Sequence, residues 1–202
     1  MPKKYIVQAD VIDISSDTPQ KEDIFLVDTN VWYWLTYTSA TFSAPHQGTY
    51  SNYIEDAVKT GATLCCSGLS LAELAHLIER NEKQLSITYK SINSKEYRHN
   101  YPLERAKVVS QVQNTWNQVQ NTYAVLINLN LDQTTVNAAL TRFSSQYLDG
   151  YDLFILESMC QESITKIITD DGDYVTVPGI QVFTASPEAI TSAQTQGKLI
   201  LR

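Results

Sequence analysis

The chain lacks most of the features that announce a function at first sight. No apolar run reaches the roughly 18–20 residues needed to cross a bilayer. The opening stretch, Met1-Pro2-Lys3-Lys4-Tyr5-Ile6-Val7, is too short in apolar residues for a secretory signal. The sequence therefore predicts a cytoplasmic protein with no membrane association. Cysteine is scarce: Cys65 and Cys66 are neighbours that do not pair with each other, and Cys160 falls on a predicted helix. Reduced thiols are expected, and no cysteine spacing suits a zinc site. There is no Walker-type glycine-rich loop and no Gly-x-Ser-x-Gly elbow, which removes nucleoside-triphosphate and serine-hydrolase chemistry. Positive charge is also short. A formal charge of −7 argues against a protein that coats nucleic acid through a global field.

What is present is an ordinary globular composition, 43% hydrophobic and 18% charged over 202 residues, enough for one domain with a substantial core. Residues 5–12 read as extended and 15–23 as a polar linker. Short apolar runs at Ile24–Val27, Ala62–Cys66, Val125–Leu129, Thr165–Thr169 and Ile180–Thr184 read as strands. Between them lie helical patterns: one around Val31–Leu35, broken by 44–48, and another over Tyr50–Lys59. Ser70 and Glu73 fit a capping box at the start of the next helix. Pro102 opens a long helix, with Leu103, Ala106, Val109, Val112, Trp116, Val119 and Tyr123 on one face. Further helices are expected from about Thr134 to Gln146, from Asp152 (Phe154, Ile155, Met159 and Cys160 inward), and from Pro187. Alternating strands and helices predict an α/β three-layer domain with a mostly parallel, five-stranded sheet.

In such folds ligands bind beyond the carboxyl ends of the strands, where strand order reverses. Asp28 and Asp171 fall just after strands, and Glu73 and Asp152 at helix starts, so these acids can reach one crevice. Each also has a local explanation: a strand-end turn, a capping partner, a dipole-complementing charge or a solvated acidic turn. Their joint placement is what points to a site. Carboxylates crowded together repel one another, and burial raises their pKa values further. A hard divalent cation, Mg²⁺ or Mn²⁺, relieves both penalties, and phosphodiester hydrolysis is the chemistry it suits.

The set Asp28-Thr29-Asn30, then Glu73, then Asp152 on an apolar helix, then Thr169-Asp170-Asp171-Gly172-Asp173-Tyr174 resembles the PIN-domain ribonucleases, among them the toxins of toxin–antitoxin pairs. The resemblance covers roughly residues 24–80 and 124–185. It implies a PIN-like three-layer fold and Mg²⁺- or Mn²⁺-dependent endonucleolytic cleavage of RNA. It implies Asp28, Glu73, Asp152 and Asp171 as metal-binding acids, with Asp173 a further metal candidate and Asp170 a weaker one. Asn30, Thr29 and Thr169 would support the site. An antitoxin partner and a homodimer are implied by the family only. The chain departs from the compact toxins before Ile24, around 40–48 and over about 81–123. The expected organisation is thus an N-terminal extension (1–23), a PIN-like domain (24–185) with a basic insertion at about 81–123, and a C-terminal helix or tail (186–202).

That insertion sets Arg80, Lys83, Lys90, Lys95, Arg98, Arg105 and Lys107 against Glu82, Glu96 and Glu104. Lys83, Lys90, Lys95 and Arg98 are candidate RNA contacts, with Tyr89, Tyr97 and Tyr101 as stacking candidates; a solvated face is the plainer reading. Trp32, Tyr33, Trp34 and Tyr37 suggest core packing or a dimer interface. Two Glu-x-x-His spacings, at Glu73-His76 and Glu96-His99, match di-iron bundles, but short strands do not fit a four-helix bundle. A haloacid-dehalogenase-like phosphatase would want an aspartate where Asn30 stands. The alternative from another class is a non-catalytic PIN-like module that binds RNA or protein.

Overall fold

The computed structural model describes residues 5–202. The first four residues of the expected N-terminal extension lie outside that range. Among the described residues, six strands form one sheet: β1 (Asp10–Asp13), β2 (Ile24–Val27), β3 (Thr63–Ser67), β4 (Val125–Ile127), β5 (Lys166–Ile168) and β6 (Gln181–Thr184). Their order is β1-β6-β5-β2-β3-β4, and every paired neighbour runs parallel. The helices are α1 (Thr29–Thr36), α2 (Gly48–Thr60), α3 (Leu69–Leu85), α4 (Ser94–Asn100), α5 (Pro102–Gln118), α6 (Gln133–Phe143), α7 (Gly150–Gln161) and α8 (Pro187–Thr195).

Side chains alternate across a strand, and here the alternation sorts the core into two layers. Leu26, Cys65, Ile167 and Val182 pack with Leu153, Leu156 and Met159 of α7, Ala139 of α6 and Ala189 of α8. Their strand neighbours Phe25, Val27, Cys66, Ile168 and Phe183 pack with Val31 and Trp32 of α1, Tyr50 and Ile54 of α2, and Leu74 and Ile78 of α3. Helices therefore cover both faces, as a parallel sheet requires. Strand order turns at β2, which is flanked by β5 and β3; that is where the fold leaves a crevice.

Several expectations need correction. The sheet has six strands, because β1 in the expected extension pairs with β6 in register Val11↔Val182. The outer side of β1 is covered by the C-terminal segment, through Val11 N–H to the Lys198 carbonyl (2.9 Å) and Ile200 N–H to the Val11 carbonyl (2.8 Å). Ser70 and Glu73 form no capping box: α3 starts earlier, after Gly68, and that end has no side-chain cap. The inward stripe of α5 holds only in its later half and beyond, where Val112, Trp116, Val119 and Tyr123 pack into the core, while Leu103, Ala106 and Val109 are exposed. Val108 and Thr115 are buried while Leu103 is 79% exposed, because the helix turns a mixed face toward α3. Cys160 is exposed and lies beside the Arg142 guanidinium (3.3 Å). Of the aromatic cluster, Trp32, Tyr33 and Tyr37 are buried in the core, while Trp34 is half-buried and packs against it beside Tyr50.

Among the described residues, no helix is long and apolar enough to cross a membrane.

Candidate functional site

The site is built where β2 and β5 end. Asp28 follows β2 directly, its N–H bonded to the Ile168 carbonyl of β5 at 3.0 Å. It caps α1, with Oδ1 accepting the Thr29 N–H at 2.6 Å. Its Oδ2 accepts the Thr169 hydroxyl at 2.6 Å and, more loosely, the Asn30 amide at 3.4 Å. Thr169 also accepts the Asp171 N–H at 2.9 Å. One buried hydroxyl thereby orients the first carboxylate and fixes the turn bearing the last.

Glu73, released from capping, accepts the Thr29 hydroxyl through Oε2. Thr29 is thus the second coupling residue, serving Asp28 with its N–H and Glu73 with its side chain. Both threonines are buried, and they outrank Asn30 as supports. Asp152 lies in the first turn of α7, whose cap is Asp149, accepting from Tyr151 N–H (3.0 Å) and Asp152 N–H (3.3 Å). The Tyr174 hydroxyl donates to Asp152 Oδ1 at 3.0 Å from the 3₁₀ turn of residues 172–176. Asp171 caps that turn, accepting the Asp173 N–H at 2.8 Å.

Asp28, Glu73, Asp149, Asp152 and Asp171 all line one pocket of about 230 Å³, together with His76 and Tyr151. The electrostatics follow from burial and crowding. Burial raises the Asp28 carboxyl; the Thr169 hydroxyl pulls it back, and Glu73 and Asp171 add to the rise. Burial likewise lifts Asp152, reinforced by Asp28, Asp149, Asp171 and Glu73. Glu73 rises through burial, opposed by its bond from Thr29 and helped by Asp149 and Asp171.

The acids do not form a closed cage. Among the described residues, no three His, Cys, Asp or Glu side chains are placed so that they could hold a metal ion as they stand. What these acids present are hard carboxylate oxygens, the donor type that Mg²⁺ and Mn²⁺ take while keeping several waters in their shells.

A family model for the PIN domain matches residues 25–180. The chain belongs to the PIN-domain family. PIN domains are generally nucleases, so the crevice of Asp28 and Asp152 sits in a nuclease-type fold. No curated protein matches the chain in sequence.

The remaining candidates of this PIN domain fall elsewhere. Asp173 is outside the pocket lining, one residue into the turn that Asp171 caps. Asp170 points to a different cluster, bonded to His46 Nε2 and the Tyr50 hydroxyl, each at 2.9 Å. Lys83, Lys90 and Arg98 line an adjoining groove, whereas Lys95 does not. Arg98 is committed: its Nε donates to both oxygens of buried Glu79, at 2.8 and 2.7 Å, and Arg105 joins at 3.2 Å. Tyr97 is buried and packs against Tyr89 and Tyr101, so it offers no ring to a base. Sequence reasoning missed Asp149, Tyr174 and His76 as site residues. Asp149 had a signal, a capping acid three residues before Asp152 and ahead of an apolar helix. Tyr174 had none, since only the 3₁₀ turn brings its hydroxyl to Asp152.

Proposed function

We propose that this PIN domain is a Mg²⁺- or Mn²⁺-dependent endoribonuclease, hydrolysing RNA phosphodiester bonds with a water held in the pocket of Asp28, Glu73, Asp152 and Asp171. The observation that supports it is the convergence of these acids on one pocket, where burial and neighbouring carboxylates raise Asp28, Glu73 and Asp152, with no ion pair to those three among the described residues. A buried cluster of this kind opposes folding unless charge is supplied to it. A divalent cation supplies that charge when bound, and polarises a phosphoryl oxygen.

The chain's own residues do the rest. Thr29 and Thr169 hold the Asp28 and Glu73 carboxylates in register, and Tyr174 holds one oxygen of Asp152. With a cation bound, its charge would offset the burial and crowding that raise Asp28 and Asp152, and these carboxylates would hold the ion and orient the attacking water. The roles of toxin, antitoxin partner, homodimer and cytoplasmic location rest on the family resemblance and the composition, and are proposed only as part of this reading.

A second reading is favoured by one observation, the absence of a closed ligand cage among the described residues. In it the pocket is a binding surface of a non-catalytic module. Incubation with a mixed RNA pool separates the two. The nuclease reading expects cleavage that needs Mg²⁺ or Mn²⁺ and drops by about 10³-fold in Asp28→Asn, the scale for removing a preorganised charged group. Undiminished cleavage by that variant overturns the site. RNA binding without cleavage, and no Mn²⁺-induced rise in melting temperature, would favour the binding module.

A further inference from the structure

The helix that delivers Glu73 continues past the acidic pocket, and its later turns line a second cavity. Glu73, His76 and Leu77 border the pocket; His76, Arg80 and Lys83 border the next cavity, of about 380 Å³. His76 forms part of both walls, so the two spaces adjoin. Lys90, from the segment leading into α4, and Ser94, the first residue of α4, also line it.

The cations here are not equivalent. Arg98 and Arg105 both spend their charge on Glu79, clamping α4 and α5 to α3. Lys83 Nζ donates to the Ile92 carbonyl (3.0 Å) and the Ser94 hydroxyl (3.3 Å), neutral acceptors that leave its charge unanswered. Arg80 and Lys90 form no ion pair among the described residues, and both are exposed. An acidic pocket thus opens onto a wall of uncompensated positive charge, on a chain whose net charge is −7. A polyanion running along the groove answers that positive charge, and its next phosphate can sit at the pocket only where a cation offsets the acids.

We propose that Arg80, Lys83 and Lys90 hold the backbone phosphates of a single nucleic-acid strand on one side of the bond that is cut. This rests on the hydrolase reading of the pocket. The cavity, at about 380 Å³, falls in the size range that takes small ligands, about 300–1,000 Å³. The contact proposed is to the backbone; Tyr97 is buried, and Tyr89 and Tyr101 pack against it half-buried. A helix rises about 1.5 Å per residue, so Arg80 lies about 10 Å and Lys83 about 15 Å along α3 from Glu73. At about 3.4 Å per stacked nucleotide, that spans roughly three or four nucleotides of flank.

The test is fluorescence anisotropy of the full chain with a labelled oligouridylate and its deoxy counterpart, titrated with salt in EDTA so that no cleavage occurs. Arg80→Glu combined with Lys90→Glu breaks no ion pair among the described residues. It is expected to weaken binding at least about tenfold and to reduce the salt slope by about 1.4, near 0.7 per phosphate contact on a single strand. Lys83→Gln should act in the same direction, and Lys95→Glu, outside the groove, should change neither quantity. Both RNA and DNA should weaken by the same factor. Unchanged affinity and slope, equal harm from Lys95→Glu, a loss confined to RNA, or no binding by wild type would overturn the groove. Because the readout is binding, an inert wild type with Mn²⁺ that still shows the variant effect counts against the nuclease reading alone. Intact cleavage with an unchanged slope counts against the groove alone.

Discussion

Two acids on α3, less than two turns apart, meet opposite fates. Glu79 is buried and answered by Arg98 and Arg105. Glu73 is half-buried and answered by a hydroxyl from Thr29 and by more carboxylates. Both sit on the same helix with carboxylates bonded to other elements, so helical spacing alone does not tell them apart. The difference is what approaches from other elements. At Glu79, α4 and α5 bring guanidiniums; at Glu73, β2, β5 and α7 bring Asp28, Asp171, Asp149 and Asp152. A buried acid already matched by cations is architecture, while one surrounded by its own kind is a place that needs something added.

The strongest way to break this contrast is to neutralise both acids separately. Glu73→Gln should reduce RNA cleavage by about 10³-fold and leave the cation-free melting temperature unchanged or higher, since it removes a repelled charge. Glu79→Gln should do the reverse, keeping the pocket acids and lowering stability by about 1–2 kcal/mol. The full cost of breaking a buried ion pair is larger, but solvent screens arginines that are 39% and 45% exposed. Melting curves beside a cleavage assay decide it; the same sign of stability change in both variants would erase the distinction.

A smaller effect is expected at the threonine that joins the two strand ends. Thr169→Val keeps the volume and deletes the hydroxyl bonded to Asp28 and Asp171 N–H. Loss of such a supporting bond typically costs 10–100-fold in metal affinity or activity. Mn²⁺ titration followed by the melting temperature would read it, and an unaltered titration would show that Asp28 needs no orientation.

The mildest test is pH. Burial and neighbouring acids raise Asp28 and Asp152, so these carboxyls hold protons better in the folded chain than in the unfolded one. Their stabilising contribution is complete below the ordinary carboxylate pKa of about 4 and is lost as pH climbs through the raised values. In EDTA the melting temperature should therefore fall as pH rises, and Asp152→Asn should flatten the fall. Mn²⁺ should bind more tightly at higher pH, because it competes with those protons. A wild-type midpoint that rises with pH in EDTA would contradict the crowded-acid account.

Much of this was legible in the chain before any fold was known. The apolar run Ile24–Val27 coincides with β2, and the acid after it lands at the crevice because the strand ends there. Asp152 followed from an apolar helix with an acid in its first turn. Glu73 was legible only by its place in an ordered set, since its local reading as a capping partner proved wrong. The insertion was legible as basic but not in its parts. Lys83, Lys90, Lys95 and Arg98 look alike in sequence, yet Arg98 is bound to Glu79 and Lys95 lies off the groove, while Arg80 lies in it.

The residue order by itself determined the alternation of buried strands and amphipathic helices, and hence which acids stand at strand ends and helix starts. Those are consequences of local periodicity and chain stops, readable over a few residues. Only the tertiary structure decided which charge meets which: that Glu79 finds two arginines, that Thr169 spans Asp28 and Asp171, and that Tyr174 reaches Asp152. Electrostatic energy depends on distance through space and on the dielectric around it, and neither is a function of separation along the chain.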